Sequence, residues 1–328
     1  MGAELSPLLN QIARVLDRPR RDLLFLFGPF IQPFLKNRSL RVHLSACVFL
    51  CLAFGVSIGL PCWQLALGPI VLGIPHIIGD IRYLVLQEKL HINPTFWLLV
   101  ILPLLAFLIL QKSVYGAVAI FGATLLQQSN YKTVLVSLGA LCIAVLAFFY
   151  HRIFLYSLLH LHNVIAIIIW WFSRKNRHSW EIFSLMLCGF FSLLILTGSN
   201  FILDSHPNQL PLQYFTRTLA PFASGEWAVR VVLLYAFLQS FHYFIWVRLI
   251  PEDNRKQPTP QSFRKSLSTL QQDFGEKGVF LIGLSMLGLL IWAGFDMKSA
   301  RANYLYFISF HGFLELAVCA YYLCRRNS

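Results

Sequence analysis

Residues 63–86 read WQLALGPIVLGIPHIIGDIRYLVL, and the fold class turns on this stretch. A helix needs about 20 apolar residues to cross the hydrocarbon of a bilayer, and this run supplies them. It also carries His76 and Asp80, which are spaced i, i+4 and so share one helix face. Ionisable groups inside such a run are costly, so each is by default a functional hypothesis. Pro75 loosens the helix just before His76. Gly73 and Gly79 let a neighbour or ligand approach closely.

The rest of the chain reads the same way. Of 328 residues, 57% are hydrophobic and only 12% charged, against about 25% charged in an ordinary soluble domain. That balance excludes a disordered chain, a disulfide-stapled miniprotein, a collagen and a coiled coil. The expected class is all-α, a polytopic helical membrane protein of about ten transmembrane helices. The expected spans are 41–59, 63–86, 94–111, 114–130, 132–150, 153–172, 180–203, 227–250, 278–295 and 302–324. Residues 1–40 form a separate N-terminal region. Within it, residues 1–22 carry Arg14, Arg18, Arg20 and Arg21 and read as a cytoplasmic arm, not a cleavable signal peptide. The stretch 23–35, LLFLFGPFIQPFL, is short and proline-broken and reads as an interfacial or re-entrant segment. Residues 41–328 form a single transmembrane domain. The longest inner loop, 251–277, reads as flexible and lipid-facing, and the outer loop 204–226 as a packed cap.

The formal charge of +13 fits this layout. With both termini in the cytoplasm, 19 Lys and Arg fall in inner segments and 5 in outer ones, the latter including Arg301. This is the positive-inside pattern. It makes the anionic leaflet of the lipid bilayer the partner, not nucleic acid, and suits a bacterial inner (cytoplasmic) membrane. Arg248 reads as a snorkelling anchor, and Trp170, Trp171, Trp180, Trp227 and Trp246 as an interfacial belt. The cysteines form no CxxC pair, and Cys47 and Cys51 read as helix packing.

Polar residues cluster at one depth in four spans. They are His76 and Asp80; His160, His162 and Asn163; Gln239 and His242; and His311 and Glu315. The span midpoints place a histidine of each within about one helical turn of the midplane. Asp80 and Glu315 lie one turn further toward the cytoplasm. His76/Asp80 and His311/Glu315 can each present a nitrogen and an oxygen to one point, as helix bundles do when they build metal sites. His160 and His162 lie about 200° apart on a helix, so only one faces a common centre. His with carboxylate favours Fe(II) and also admits Zn. Cu or a bis-His b-type haem remains open. Either carboxylate can instead orient a ligating histidine through its other ring nitrogen. His43, His91, His151, His178 and His206 fall at span ends or in loops and read as interfacial.

The string Gly73-Ile74-Pro75-His76 followed by Asp80 resembles the GLPHGxxD-type motif of the bacterial and archaeal membrane β-carotene dioxygenases of the Brp/Blh type. That resemblance implies a polytopic membrane enzyme with non-haem iron, His76 as an iron ligand and Asp80 as a nearby acid. The chain departs from the family at Ile81, where the family tends to place a further His. The HxxxH and HxxHH boxes of membrane desaturases, a CxxCH haem site, a P-loop and a Rossmann fingerprint are all missing from the sequence.

The expected function is a metal-dependent membrane oxygenase acting on a hydrophobic small-molecule substrate such as a carotenoid or lipid. His76, His160, His162, His242 and His311 are the candidate ligands, and Asp80 and Glu315 the candidate catalytic acids. Two alternatives use the same residues. One is a zinc-dependent intramembrane lipid hydrolase with a carboxylate as general base. The other is a proton-coupled transporter using the His/Asp/Glu relay.

Overall fold

A computed structural model describes residues 6–128, 130–173, 179–198, 210–255, 257 and 259–325. Among these residues all regular structure is helical. In chain order the principal elements are α1 (Pro7–Leu26), α2 (Arg38–Gly59), α3 (Pro61–Leu86), α4 (Pro94–Leu110), α5 (Ser113–Thr124), α6 (Tyr131–Phe149) and α7 (His151–Ser173). They continue with α8 (Ser179–Thr197), α9 (Leu210–Leu219), α10 (Gly225–Asp253), α11 (Phe263–Phe295), α12 (Met297–Ile308) and α13 (His311–Cys324). Among the described residues seven stretches are long and apolar enough to cross a membrane: α2, α3, α6, α7, α10, α11, and α12 with α13 taken together.

Local chemistry sets the helix starts. The Asn37, Asn93, Asn130, Ser262 and Asp296 side chains accept backbone N–H bonds at the first turns of α2, α4, α6, α11 and α12. Pro61 and Pro94 occupy first-turn positions, where a missing N–H costs nothing. The expected span 114–130 is shorter than its sequence suggested. α5 stops at Thr124, and at 1.5 Å per residue its length is about 18 Å, well below a bilayer's apolar thickness. Small residues let α5 pack tightly instead, with a Cβ on Gly122 falling 2.2 Å from the Leu99 carbonyl oxygen.

The N-terminal arm is helical, and so is much of the loop 251–277, which was expected to be flexible. The arm is helix α1, and it packs on α11. The Asp17 carboxylate accepts from the N–H groups of Phe263 (2.8 Å) and Arg264 (3.1 Å) and so holds the start of α11. Residues 23–35 close with the end of α1, a 3-10 turn at Gly28–Ile31 and a short helix at Gln32–Lys36. Gly275, at φ +72°, breaks α11 between this α1-bound start and its apolar remainder. Of the outer loop, Leu210–Leu219 is helical, and 204–209 lies outside the described residues, as do His178 and His206.

α10 is the most buried of the long helices and packs on α2, α3, α7 and α8, while α13 packs on α5, α6 and α7. Phe237, Phe241, Ile245, Trp246, Phe313 and Leu50 form the centre of the core. Trp170 and Trp246 leave the expected interfacial belt and are fully buried. Trp170 donates to Asp253 at 3.1 Å. A second polar centre anchors the end of α10. Buried Glu252 accepts from Arg41 of α2, from Arg255 at 2.6 Å and from Arg248 at 3.3 Å. Arg248 is therefore an ion-pair partner as well as a partly exposed side chain.

Removing one partner of a buried ion pair costs roughly 3–5 kcal/mol, because the other charge stays buried. Loss of an exposed pair costs about 0–1 kcal/mol. Glu252→Ala, which removes the one acid shared by three arginines, is expected to lower the thermal unfolding midpoint of the solubilised protein markedly. Arg325→Ala, which breaks only the exposed pair with Glu88, should leave it nearly unchanged.

Candidate metal centre

Four helices bring their histidines into one group. His76 comes from α3, His162 from α7, His242 from α10 and His311 from the first residue of α13. His76, His242 and His311 each offer a ligand atom within 4.8 Å of the other two, a buried three-histidine group that could hold a metal ion. His162 stands edge-on to two of them, with ring centroids 5.0 Å from His242 and 5.1 Å from His311. His76 makes similar contacts, 5.3 Å to His242 and 5.1 Å to His311. His242 and His311 also meet at 6.0 Å, so these two rings each touch three others, and His76 and His162 each touch two.

The hydrogen bonds decide which nitrogens are free. The Nδ1 atoms of His76, His162 and His311 lie 3.3, 3.1 and 2.6 Å from the carbonyl oxygens of Leu72, Leu158 and Ile308, each in the preceding turn. A ring bonded this way donates Nδ1–H and turns an Nε2 lone pair inward, the arrangement by which backbone carbonyls orient metal-ligating imidazoles. The Nε2 atoms of His76 and His311 are buried and have no hydrogen-bond partner among the described residues, and neither nitrogen of His242 has one. Such orphaned acceptors are costly unless something binds them.

Glu315 lies beside His242, and Asp80 follows His76 by one turn of α3. Asp80 and Glu315 are both fully buried. Glu315 Oε1 accepts from Trp246 Nε1 at 2.8 Å and lies 3.7 Å from His242 Nε2. Glu315 Oε2 and both oxygens of Asp80 have no hydrogen-bond partner among the described residues. Glu252, by contrast, has three arginine partners. A cation held by the adjacent histidines would balance the two acids, so the donor set fits a metal ion.

The backbone is shaped around this group. α3 changes to π-helical winding at Ile81–Leu86, directly after Asp80. α10 does the same at Ile245–Leu249, three residues after His242. Such segments re-aim side chains and recur at functional sites. A Cβ on Gly79 would lie 2.9 Å from the Trp246 carbonyl, and one on Gly73 would lie 2.2 Å from the Tyr304 ring. Glycine at these positions lets α10 and α12 close against α3 beside His76 and Asp80.

Of the expected ligands, His160 is not brought into the group. Its Nε2 lies 2.9 Å from the Leu219 carbonyl, and its ring packs on Phe222 and Tyr235. The helix rotation that aims His162 inward aims His160 away. Sequence reasoning missed Trp246 and Tyr243. Trp246 lies i+4 from His242, a spacing that could have paired it with the site, and the Tyr243 ring packs 4.5 Å from His76. A cavity of about 1260 Å³ reaches the group and is lined by His162, His311 and Tyr243 among mostly apolar side chains. No family model, curated protein or solved structure matches the chain.

Single alanine variants of His76, His242 and His311 are expected to lose bound metal, measured by elemental analysis of purified protein. His160→Ala should retain it. Glu315→Gln should weaken metal affinity about 10–100-fold, the usual effect of removing an outer-shell partner.

Proposed function

We propose that the protein is a membrane-embedded, metal-dependent oxygenase with non-haem iron, acting on a lipophilic substrate that enters the cavity from the bilayer. The observation that carries this reading is the set of inward-facing histidine nitrogens without partners, next to two fully buried carboxylates. The resemblance of Gly73-Ile74-Pro75-His76 and Asp80 to membrane carotenoid dioxygenases favours iron and dioxygen over zinc and water.

In this reading His76, His242 and His311 hold the ion, with His162 as a fourth donor. A ferrous ion held there would offer open positions for dioxygen, and in a dioxygenase reaction both oxygen atoms would pass to the substrate, so no outside reductant would be needed. The chain's own residues do the rest. Leu72, Leu158 and Ile308 fix three imidazoles in one tautomer through their carbonyls. Glu315, steadied by Trp246, faces His242, and with Asp80 it offsets the charge of the ion. The apolar cavity wall excludes water and lays the substrate alongside His162 and His311. The positive-inside distribution supports an orientation with both termini in the cytoplasm.

Protein purified anaerobically with ferrous iron present is expected to contain stoichiometric iron. It should consume dioxygen when supplied with membrane lipid extract, and chelation should abolish that uptake. Stoichiometric zinc with lipid hydrolysis and no dioxygen uptake would replace the oxygenase with a hydrolase. Retention of no metal at all would sink both readings.

A further inference from the structure

The cavity beside the histidines is apolar for most of its wall, yet its charged lining is of one sign. Arg152 and Arg301 line it, and no Asp or Glu does so among the described residues. Arg152 is exposed at the start of α7. Arg301, which the sequence placed in an outer loop, is built into the wall. It is only 6% exposed, its Nε donates to the Leu65 carbonyl at 2.8 Å, and its guanidinium stacks 5.0 Å from the Phe215 ring centre. Its Nη2 is buried without any hydrogen-bond partner among the described residues. Arg301 also lines a second, smaller cavity of about 460 Å³ with Phe215 and Lys298. A guanidinium fixed by backbone and aromatic contacts, with one buried donor unpartnered at the cavity wall, is costly unless a ligand that presses into the wall completes it. Planar guanidinium donors match a carboxylate in particular.

We propose that this cavity binds a single-chain amphiphile with an anionic head, a long-chain carboxylate, whose head pairs with Arg301 and whose tail runs toward the histidines. The cavity, at about 1260 Å³, exceeds the roughly 300–1,000 Å³ of ordinary small-molecule sites and suits a long chain. Arg301 Nε donates to the Leu65 carbonyl, eleven residues before His76 on α3, roughly 16 Å of helix. The head is therefore held away from the histidines, and carbons along the chain are what reach them. The fate of the tail rests on the oxygenase reading, but binding of the head does not.

The test uses chelator-stripped protein in nanodiscs of zwitterionic lipid, with radiolabelled palmitate as probe and unlabelled palmitate or 1-hexadecanol as competitor. Saturable palmitate binding is expected, with hexadecanol at least about tenfold the weaker competitor, since a hydrogen bond to a charged group contributes that much. Arg301→Gln should remove the preference, while Arg152→Gln should keep it. Equal competition by hexadecanol in the wild-type protein overturns the proposal without any variant, so a poorly folding Arg301→Gln does not shelter it. Wild-type palmitate affinity in a folded Arg301→Gln also overturns it, as does loss of the preference in Arg152→Gln alone. Because the binding is read without metal, its failure leaves the oxygenase reading standing. Conversely, a protein that binds palmitate but never holds metal retires only the oxygenase.

Discussion

Buried where apolar helices surround them, His76, Asp80, His162, His242, His311 and Glu315 are largely withdrawn from bulk water and gain most by satisfying one another or a bound ion. The core is arranged around that requirement. Three of the histidines use the carbonyl of their own preceding turn for one ring nitrogen, which leaves the other without choice of direction. Glu315 is held by an indole that is itself wholly buried. The glycines opposite Tyr304 and Trp246 bring the neighbouring helices within reach. Each of these contacts narrows the positions the rings can take, which is how a binding group is kept rigid enough to select a ligand.

The two buried polar centres make a useful contrast. Around Glu252, three arginines surround one carboxylate, so its charge is met within the chain and the result is an anchor between α2 and α10. Beside Glu315 an imidazole nitrogen stands where a guanidinium would otherwise be, and neither oxygen of Asp80 has a hydrogen-bond partner among the described residues. The first centre is complete in itself, whereas the second has the composition of a site that expects a cation from outside. The same contrast holds in the cavity, whose lining offers the buried arginine no acid among the described residues.

Much of this was legible in the sequence. Apolar runs interrupted by His, Asp and Glu at matching depths marked both the helices and their shared level, because helical rise converts residue number directly into height. The i, i+4 pairs of α3 and α13 were readable for the same reason. Helix ends were less so. α5 stops early and α11 begins well before its apolar stretch, because capping and contact with α1 set those ends and hydropathy does not.

Read alone, the sequence determined the helical class, the apolar character and the set of histidines that share one level, all properties of spacing along a single helix. Rotation about each helix axis was left to the tertiary structure, since it depends on which neighbour each face meets. Packing of α7 against α13, where a Cβ on Gly312 would come within 3.5 Å of His162, chose His162 over His160. Other contacts in the bundle turned Trp246 of α10 onto Glu315 and tied Arg301 of α12 to α3 in a cavity wall. Height comes from the chain, but facing comes only from the assembled bundle.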